Sequence, residues 1–290
     1  MTMPNYKIVT DSSCDFTDQE LAKLDLLSAP LTVSYNGETH SNFSDVEAVK
    51  GFYDEMRQGT RATTSAVNPQ GWTSVLEPVL EQGLDALVLA FSSGLSTTYQ
   101  SAVIAANELM EKYPGRTVRV VDTLCAALGQ GLLVWYACKK RDEGLSLEAC
   151  TQWVEENKLH LCHWFTVNDL YHLKRGGRVS ATTALVGTML NIKPILHMDD
   201  NGKLASFAKV RGRKASIEYL AEKMSELGEG YENDIAFVVH GDCLEDAQTL
   251  ADLVKEKYGV KEVHIGYLGP VIGAHTGPGV LSLFFMGSHR

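Results

Sequence analysis

The chain has 290 residues, 44% hydrophobic and 21% charged, enough for one large or two ordinary globular domains. A formal net charge of −10 argues against general nucleic-acid binding and adhesion to acidic membranes, although a local basic patch remains compatible with it. Six cysteines (Cys14, Cys125, Cys138, Cys150, Cys162 and Cys243) form no CxxC pair. They suggest neither a metal site nor a disulfide framework, and point instead to reduced, mostly buried thiols in a cytoplasmic protein. The opening MTMPNYKIVTDSS runs into a strand without a signal-peptide pattern. The longest apolar segment, Leu124–Cys138, is broken by Gly129-Gln130-Gly131 and is too short to span a bilayer. A soluble protein is expected.

In chain order, Tyr6–Thr10 reads as a strand, and Thr17-Asp18-Gln19-Glu20 as a capping box opening a short helix. Leu31–Tyr35 is a second strand, with a turn at Asn36-Gly37. Ser44-Asp45-Val46-Glu47 is a second capping box, starting a helix to about Arg57, and Asn68-Pro69 begins another. Leu84–Phe91 is a short apolar run with the character of a buried strand, followed by helical spacing from Ser96 to Tyr113. The strand Thr117–Val121, a long helix from about Leu124 to Arg141 and the helix Leu147–Glu156 complete this half. Such β-α alternation predicts a mainly parallel sheet covered by helices.

The pattern changes near residue 158, which divides the chain into an N-terminal α/β domain (1–158) and a C-terminal α+β domain (159–290). In the second part, His160–Val167 reads as a strand, followed by a short helix closed by Gly176-Gly177. Lys193–Met198 and Leu204–Val210 flank Asp199-Asp200-Asn201-Gly202, a strong hairpin signal. Helices Arg213–Leu227 and Leu244–Tyr258 enclose the strand Asp234–His240. Two last strands, Glu262–Leu268 and Val280–Met286, bracket the loop GPVIGAHTGPG, and the mixture predicts a mixed sheet.

Five segments carry possible chemistry. SSGLSTTYQS (Ser92–Ser101) lies where a strand meets a helix, with Ser96 at the N-cap position. Free N–H groups, hydroxyls and the positive helix end would face one crevice there, forming a seat for an anion; a well-capped helix would leave the same pattern. Thr63-Thr64-Ser65 adds hydroxyls from a loop, which capping alone would also explain. In Lys174-Arg175-Gly176-Gly177-Arg178-Val179-Ser180 the glycines suit a helix C-terminus and Ser180 could cap the next helix. Arg178 there could meet an anion or tie the domains together. Lys209-Val210-Arg211-Gly212-Arg213-Lys214 holds four cations in six residues, either a solvated helix start or a docking patch for an acidic partner. His275-Thr276-Gly277-Pro278-Gly279 offers an imidazole as donor, as general base or as a satisfied loop residue.

Taken together, TTSAVNP, SSGLSTTYQSA, VVDTLCAALGQG, LYHLKRGGRVS, KVRGRK and GPVIGAHTGPG occur in an order that resembles the DegV family of bacterial fatty-acid-binding proteins. The likeness covers nearly the whole chain, from IVTDSSCDF to LSLFF. It implies two α/β domains with one long-chain fatty acid buried between them. It also implies a binding subunit, without catalytic activity of its own, for a fatty acid kinase whose ATP-binding subunit phosphorylates the acyl carboxylate. The acyl phosphate would then be carried away towards phospholipid synthesis.

Residue by residue, the resemblance assigns Thr64, Ser96 and His275 to the carboxylate and Arg211 to engagement of the kinase subunit. Ser65, Ser93, Gly94 and Arg178 are further candidates for the ligand. Neither a metal nor a cofactor is implied. Two departures from the family pattern stand out: Ala66-Val67-Asn68-Pro69 replaces Gln-Pro-Ser after Thr-Ser, and Thr97 adds a side chain beside Ser96. On physical grounds, hydroxyl and N–H donors can hold a carboxylate without a lysine or arginine alongside.

The competing reading is a serine hydrolase on a lipid or acyl ester, with Ser96 or Ser93 as nucleophile and His275 as base. It lacks the G-x-S-x-G elbow, because Phe91 precedes Ser92-Ser93. A nucleotide site at the same helix start lacks both glycine-rich phosphate motifs.

Overall fold

The computed structural model describes residues 5–41, 45–168, 170–179, 191–231 and 233–290. The chain begins β1 (Tyr6–Asp11), α1 (Asp18–Lys23), β2 (Leu26–Ala29), β3 (Thr32–Tyr35), β4 (Glu38–His40) and α2 (Val46–Arg57). It continues β5 (Thr63–Ser65), α3 (Pro69–Glu81), β6 (Asp85–Ala90), α4 (Thr98–Lys112), β7 (Val118–Asp122), α5 (Ala127–Asp142) and α6 (Leu147–Asn157). Next come β8 (Leu161–Thr166), α7 (Tyr171–Arg175), β9 (Ile192–Met198), β10 (Leu204–Arg211) and α8 (Arg213–Leu227). The last elements are β11 (Ile235–His240), α9 (Leu244–Tyr258), β12 (Glu262–Tyr267), α10 (Pro270–Thr276) and β13 (Leu281–Met286).

The result is a mixed α/β fold. A four-stranded sheet, ordered β2-β1-β6-β7, is parallel throughout. A six-stranded sheet, β10-β9-β8-β13-β11-β12, combines one parallel pair with antiparallel ones. A small antiparallel sheet, β4-β3-β5, stands beside them.

Local chemistry explains most boundaries. The Thr17 capping box is present with both of its hydrogen bonds. Asn68 caps α3 through the Gly71 N–H, with Pro69 in the first turn. Asn36 and Gly37 both take positive φ (50° and 82°), as a two-residue hairpin requires. At the second expected capping box, Asp45 makes the cap to Glu47, whereas Ser44 falls outside the described residues. Ser180 also falls outside them.

Several expectations need correction. Thr63–Ser65 is a strand rather than a loop, because Thr64 pairs with Val33 across β3. The glycine-rich GPVIGAHTGPG contains helix α10, started by Pro270 and ended at Gly277 (φ 80°), so His275 projects from a helix. Helix α4 begins at Thr98, one position later than Ser96 as N-cap would give. Helix α5 begins at Ala127, since positive φ at Leu124 and Ala127 delays regular winding. Strands β2 and β4 were not expected; each is only three or four residues long.

Helix α5 lies between the two large sheets. One buried apolar cluster joins Ile8 and Leu87 of the parallel sheet, Leu128 and Leu132 of α5, and Phe237 and Phe284 of the mixed sheet. Close approach needs the glycine at 129, where a Cβ would come within 2.2 Å of His163 Nε2. Of the six cysteines, all free, only Cys243 is not fully buried. Among the described residues no helix is long and apolar enough to cross a membrane, and no cluster of metal-ligating side chains occurs.

The β9–β10 hairpin reaches back to the parallel sheet. Its tip carbonyl, on Gly202, accepts a hydrogen bond of 2.7 Å from buried Ser92 Oγ. A Cβ on Gly94 would lie 2.5 Å from the Gly202 oxygen and 2.7 Å from that of Asn201. Gly94→Ala is therefore expected to lower stability by about 1–3 kcal/mol through overpacking against backbone. Chemical denaturation measures this, and an unchanged midpoint and slope would contradict the contact.

Candidate functional site

The parallel sheet reverses its winding between β1, whose next partner in sequence is β2, and β6 on its other side. Ligands of open α/β sheets sit at the carboxyl ends of strands at such a switch point. Here those ends are fastened together: the Asp11 carboxyl at the end of β1 accepts from the Phe91 N–H (2.7 Å) after β6 and from the Ser13 N–H (3.1 Å). Burial pushes that carboxyl above its ordinary range, against the pull of these donors.

Beyond this edge lies a cavity of about 470 Å3, within the roughly 300–1,000 Å3 usual for small-molecule sites. It opens between the parallel sheet, α10, the β9–β10 hairpin and the mixed sheet. One group of lining residues is polar: Thr64, Ser65, Ser93, Ser96, Arg178 and His275. The rest is dominated by apolar side chains such as Leu31, Phe91, Phe165, Met198, Leu268 and Phe284.

Thr64 and His275 meet directly, with Thr64 Oγ1 2.7 Å from His275 Nε2. The other imidazole nitrogen, Nδ1, is buried without a hydrogen-bond partner among the described residues. Burial first, then the positive fields of Arg178 and Arg175, push the His275 pKa down to about 4, so the ring is neutral at pH 7. Ser96 lies one residue before the N-cap, Thr97, and still bonds the helix start: its Oγ accepts from the Thr98 N–H (3.2 Å) and lies 2.9 Å from Thr98 Oγ1. The Ser93 N–H donates to Asp122 Oδ1 (3.1 Å), which fixes the turn.

Arg178 donates from Nε to the Leu95 carbonyl (3.2 Å) and from Nη1 to that of Gly176 (2.5 Å). It thus tethers the segment after α7 to the serine turn and also lines the cavity. Arg178, one of the further candidates from the sequence, thus shares the cavity lining with the hydroxyls. Gly94, in contrast, packs against the hairpin tip and does not line the cavity.

Arg211 is also outside the cavity. It is exposed at the end of β10, an edge strand, with exposed Lys209 and Lys214 on either side. Arg213 is held by Asp246 at 2.9 Å, so it contributes less free charge.

Sequence reasoning did not identify the floor of the cavity, formed by His163 and Phe165 of β8, Val280 just before β13, and Ser282 and Phe284 of β13. Their period-two spacing within the two strands was the available signal. His163 is neutral there: Nδ1 donates to the Leu161 carbonyl (3.1 Å), Nε2 accepts from the Ala126 N–H (3.3 Å), and burial holds its pKa near 3.

With this geometry in place, comparison with known proteins is informative. The model of the family described as "Uncharacterised protein, DegV family" matches residues 5–288. A DegV domain-containing protein of Clostridium perfringens is 44% identical over 289 residues, covering 99% of each chain. One from Lactococcus lactis is 36% identical over 96% of each. Among solved structures, a DegV family protein from Thermus thermophilus, described as binding fatty acid, superposes with a TM-score of 0.88 at 31% identity, covering 98% of this chain and 99% of that one. A DegV lipid-binding protein from Thermotoga maritima gives 0.85 at 31% identity over 99% of both chains. The whole described fold, and not one motif, carries the match: the chain belongs to the DegV family.

Proposed function

We propose that the protein binds one long-chain fatty acid in this cavity, with its carboxylate at Thr64, Ser96 and His275 and its tail along the apolar walls. The observation that carries the reading is the mixed lining: hydroxyls, the His275 imidazole and a guanidinium share a cavity whose other walls are largely apolar. Ser65 and Ser93 extend the set of donors, and segments 1–158 and 159–290 act as the two lobes that grip the lipid. The tail supplies the drive, because ~14 methylenes at about 0.8 kcal/mol each give roughly 11 kcal/mol before ordering costs.

The carboxylate must be compensated on leaving water. A buried N–H without a partner is rarer than a bare acceptor, so the proton of His275 belongs on Nε2, facing Thr64. Thr64 Oγ1 then accepts from the imidazole and turns its own proton toward the ligand. Arg178 adds long-range positive charge. The hydrolase alternative gains no support from this arrangement, since His275 Nε2 faces a threonine and Nδ1 has no acid to orient it.

The further role follows from the family resemblance and from surface charge. The protein presents the bound carboxylate to the ATP-binding subunit of a fatty acid kinase and retains the acyl phosphate product, engaging that subunit through Arg211. An exposed basic strand end on a protein of net charge −10 is a local steering feature for an acidic partner surface.

Protein purified from a bacterial host should release a long-chain fatty acid on organic extraction followed by mass spectrometry, and Ser96→Ala should retain less of it. Repeated recovery of folded, lipid-free protein able to bind none would refute the reading. In delipidated protein the His275 imidazole should titrate near pH 4 in NMR, against about 6.5 for a free histidine; a midpoint of 6.5 or above in that lipid-free protein would contradict its burial beside Arg178. Arg211→Ala should leave lipid binding intact while reducing acyl phosphate formation with a cognate kinase, roughly tenfold for one lost interfacial charge contact. Unchanged turnover would remove Arg211 from the docking surface.

A further inference from the structure

The floor of the cavity contains a feature that a plain hydrocarbon tail does not require. Strand β13 directs Ser282 and Phe284 to the cavity, which Val280 also lines just before the strand, alternating with Leu281 and Leu283, which pack into the core on the opposite face. Ser282 is thus flanked along its own strand by two apolar residues. It stands opposite Phe165 on β8 and opposite Val239 on β11.

The residue is only 5% exposed and lines the cavity, and no hydrogen bond joins its hydroxyl to another of the described residues. A hydroxyl that faces a cavity and has no partner on the protein takes its hydrogen bond from whatever occupies that cavity. The nearby imidazole of His163 cannot supply one, because both of its nitrogens are committed to the Leu161 carbonyl and the Ala126 N–H.

Ser282 is also separate from the polar end. Thr64, Ser96 and His275 belong to β5, the turn after β6, and α10, whereas Ser282 lies within the mixed sheet. Ser282 shares the floor of the cavity with Phe165 and Phe284, apolar side chains along which the proposed tail would lie.

We propose that Ser282 recognises an oxygen substituent on the acyl chain, so that the ligands of this protein include fatty acids bearing a hydroxyl or keto group away from the carboxylate. The inference rests on the fatty-acid reading of the cavity and adds the substrate class.

The test is a competition binding assay on delipidated full-length protein with stearate, 10-hydroxystearate and 12-hydroxystearate. At least one hydroxystearate should bind as tightly as stearate or tighter. In Ser282→Ala its affinity relative to stearate should fall roughly three- to tenfold, the effect of one lost hydrogen bond. Ser282→Gly provides the same deletion should the alanine variant fail to fold.

An unchanged ratio in the variant, or rejection of both hydroxystearates by the parent protein, would overturn the assignment while leaving fatty-acid binding standing. Failure of the parent to bind stearate and both hydroxystearates would overturn the fatty-acid reading, and this inference with it.

Discussion

The cavity exists because one helix is held at a fixed height between two sheets, and a small buried polar network sets that height. Gln130 of α5 donates from Nε2 to Thr10 Oγ1 (3.0 Å) and to the Leu89 carbonyl (3.3 Å), while its Oε1 accepts from Ser13 Oγ (3.0 Å). Ser13 in turn reaches the Asp11 carboxyl, which fastens the ends of β1 and β6. Ser13 has a single proton and faces two acceptors. A carboxyl that burial holds above its ordinary range can supply the second proton, so the network is satisfiable without a counter-ion. Such a network fixes geometry better than an apolar contact, because half-satisfied alternatives are strongly disfavoured. From this anchor α5 extends its other face to Phe237 and Phe284, and the cavity fills the space left at its N-terminal end.

The chemistry of the polar end follows from the same economy of charge. A lysine placed in contact with the ligand would bind a carboxylate strongly in a dry site, and would also be a buried cation whenever the site stood vacant. The arrangement found divides the task. The Thr64 hydroxyl and the neutral His275 imidazole lie at contact distance from each other, while Arg178 keeps two of its donors on backbone carbonyls and contributes mainly through its field. The same field, added to burial, keeps His275 from gaining a proton that its enclosed Nδ1 has nowhere to place.

Much of this was legible in the sequence, and the parts that were not have identifiable causes. Thr17, Asn68 and the Asp199–Gly202 turn act through bonds to near neighbours, so their roles are written locally, and all three appear as expected. The order of β-α units likewise announced the parallel sheet. Thr63–Ser65 was read as a loop because a three-residue strand owes its existence to β3, some thirty residues away. The glycines around His275 suggested an open loop, whereas two of them merely bound a helix of two turns. The proximity of Thr64 to His275, separated by 211 positions, came only from family resemblance, since no periodicity connects them. The floor residues were missed for a different reason: within a fully buried strand, core-facing and cavity-facing side chains share the same composition.

At the rim beside the serine turn, the meeting surfaces are peptide groups: Ser92 and Gly94 on one side, Asn201 and Gly202 on the other. The Arg290 side chain spans the same seam, donating to the Leu124 carbonyl (2.6 Å) on one side and to the Asp199 carbonyl (3.4 Å) of the hairpin on the other. Widening that seam therefore requires the hairpin to shift as a unit, breaking the Ser92 bond and the snug carbonyl packing in one event. Passage of a molecule by that route would be all-or-none, with its rate governed by how often an entire two-stranded arm lets go.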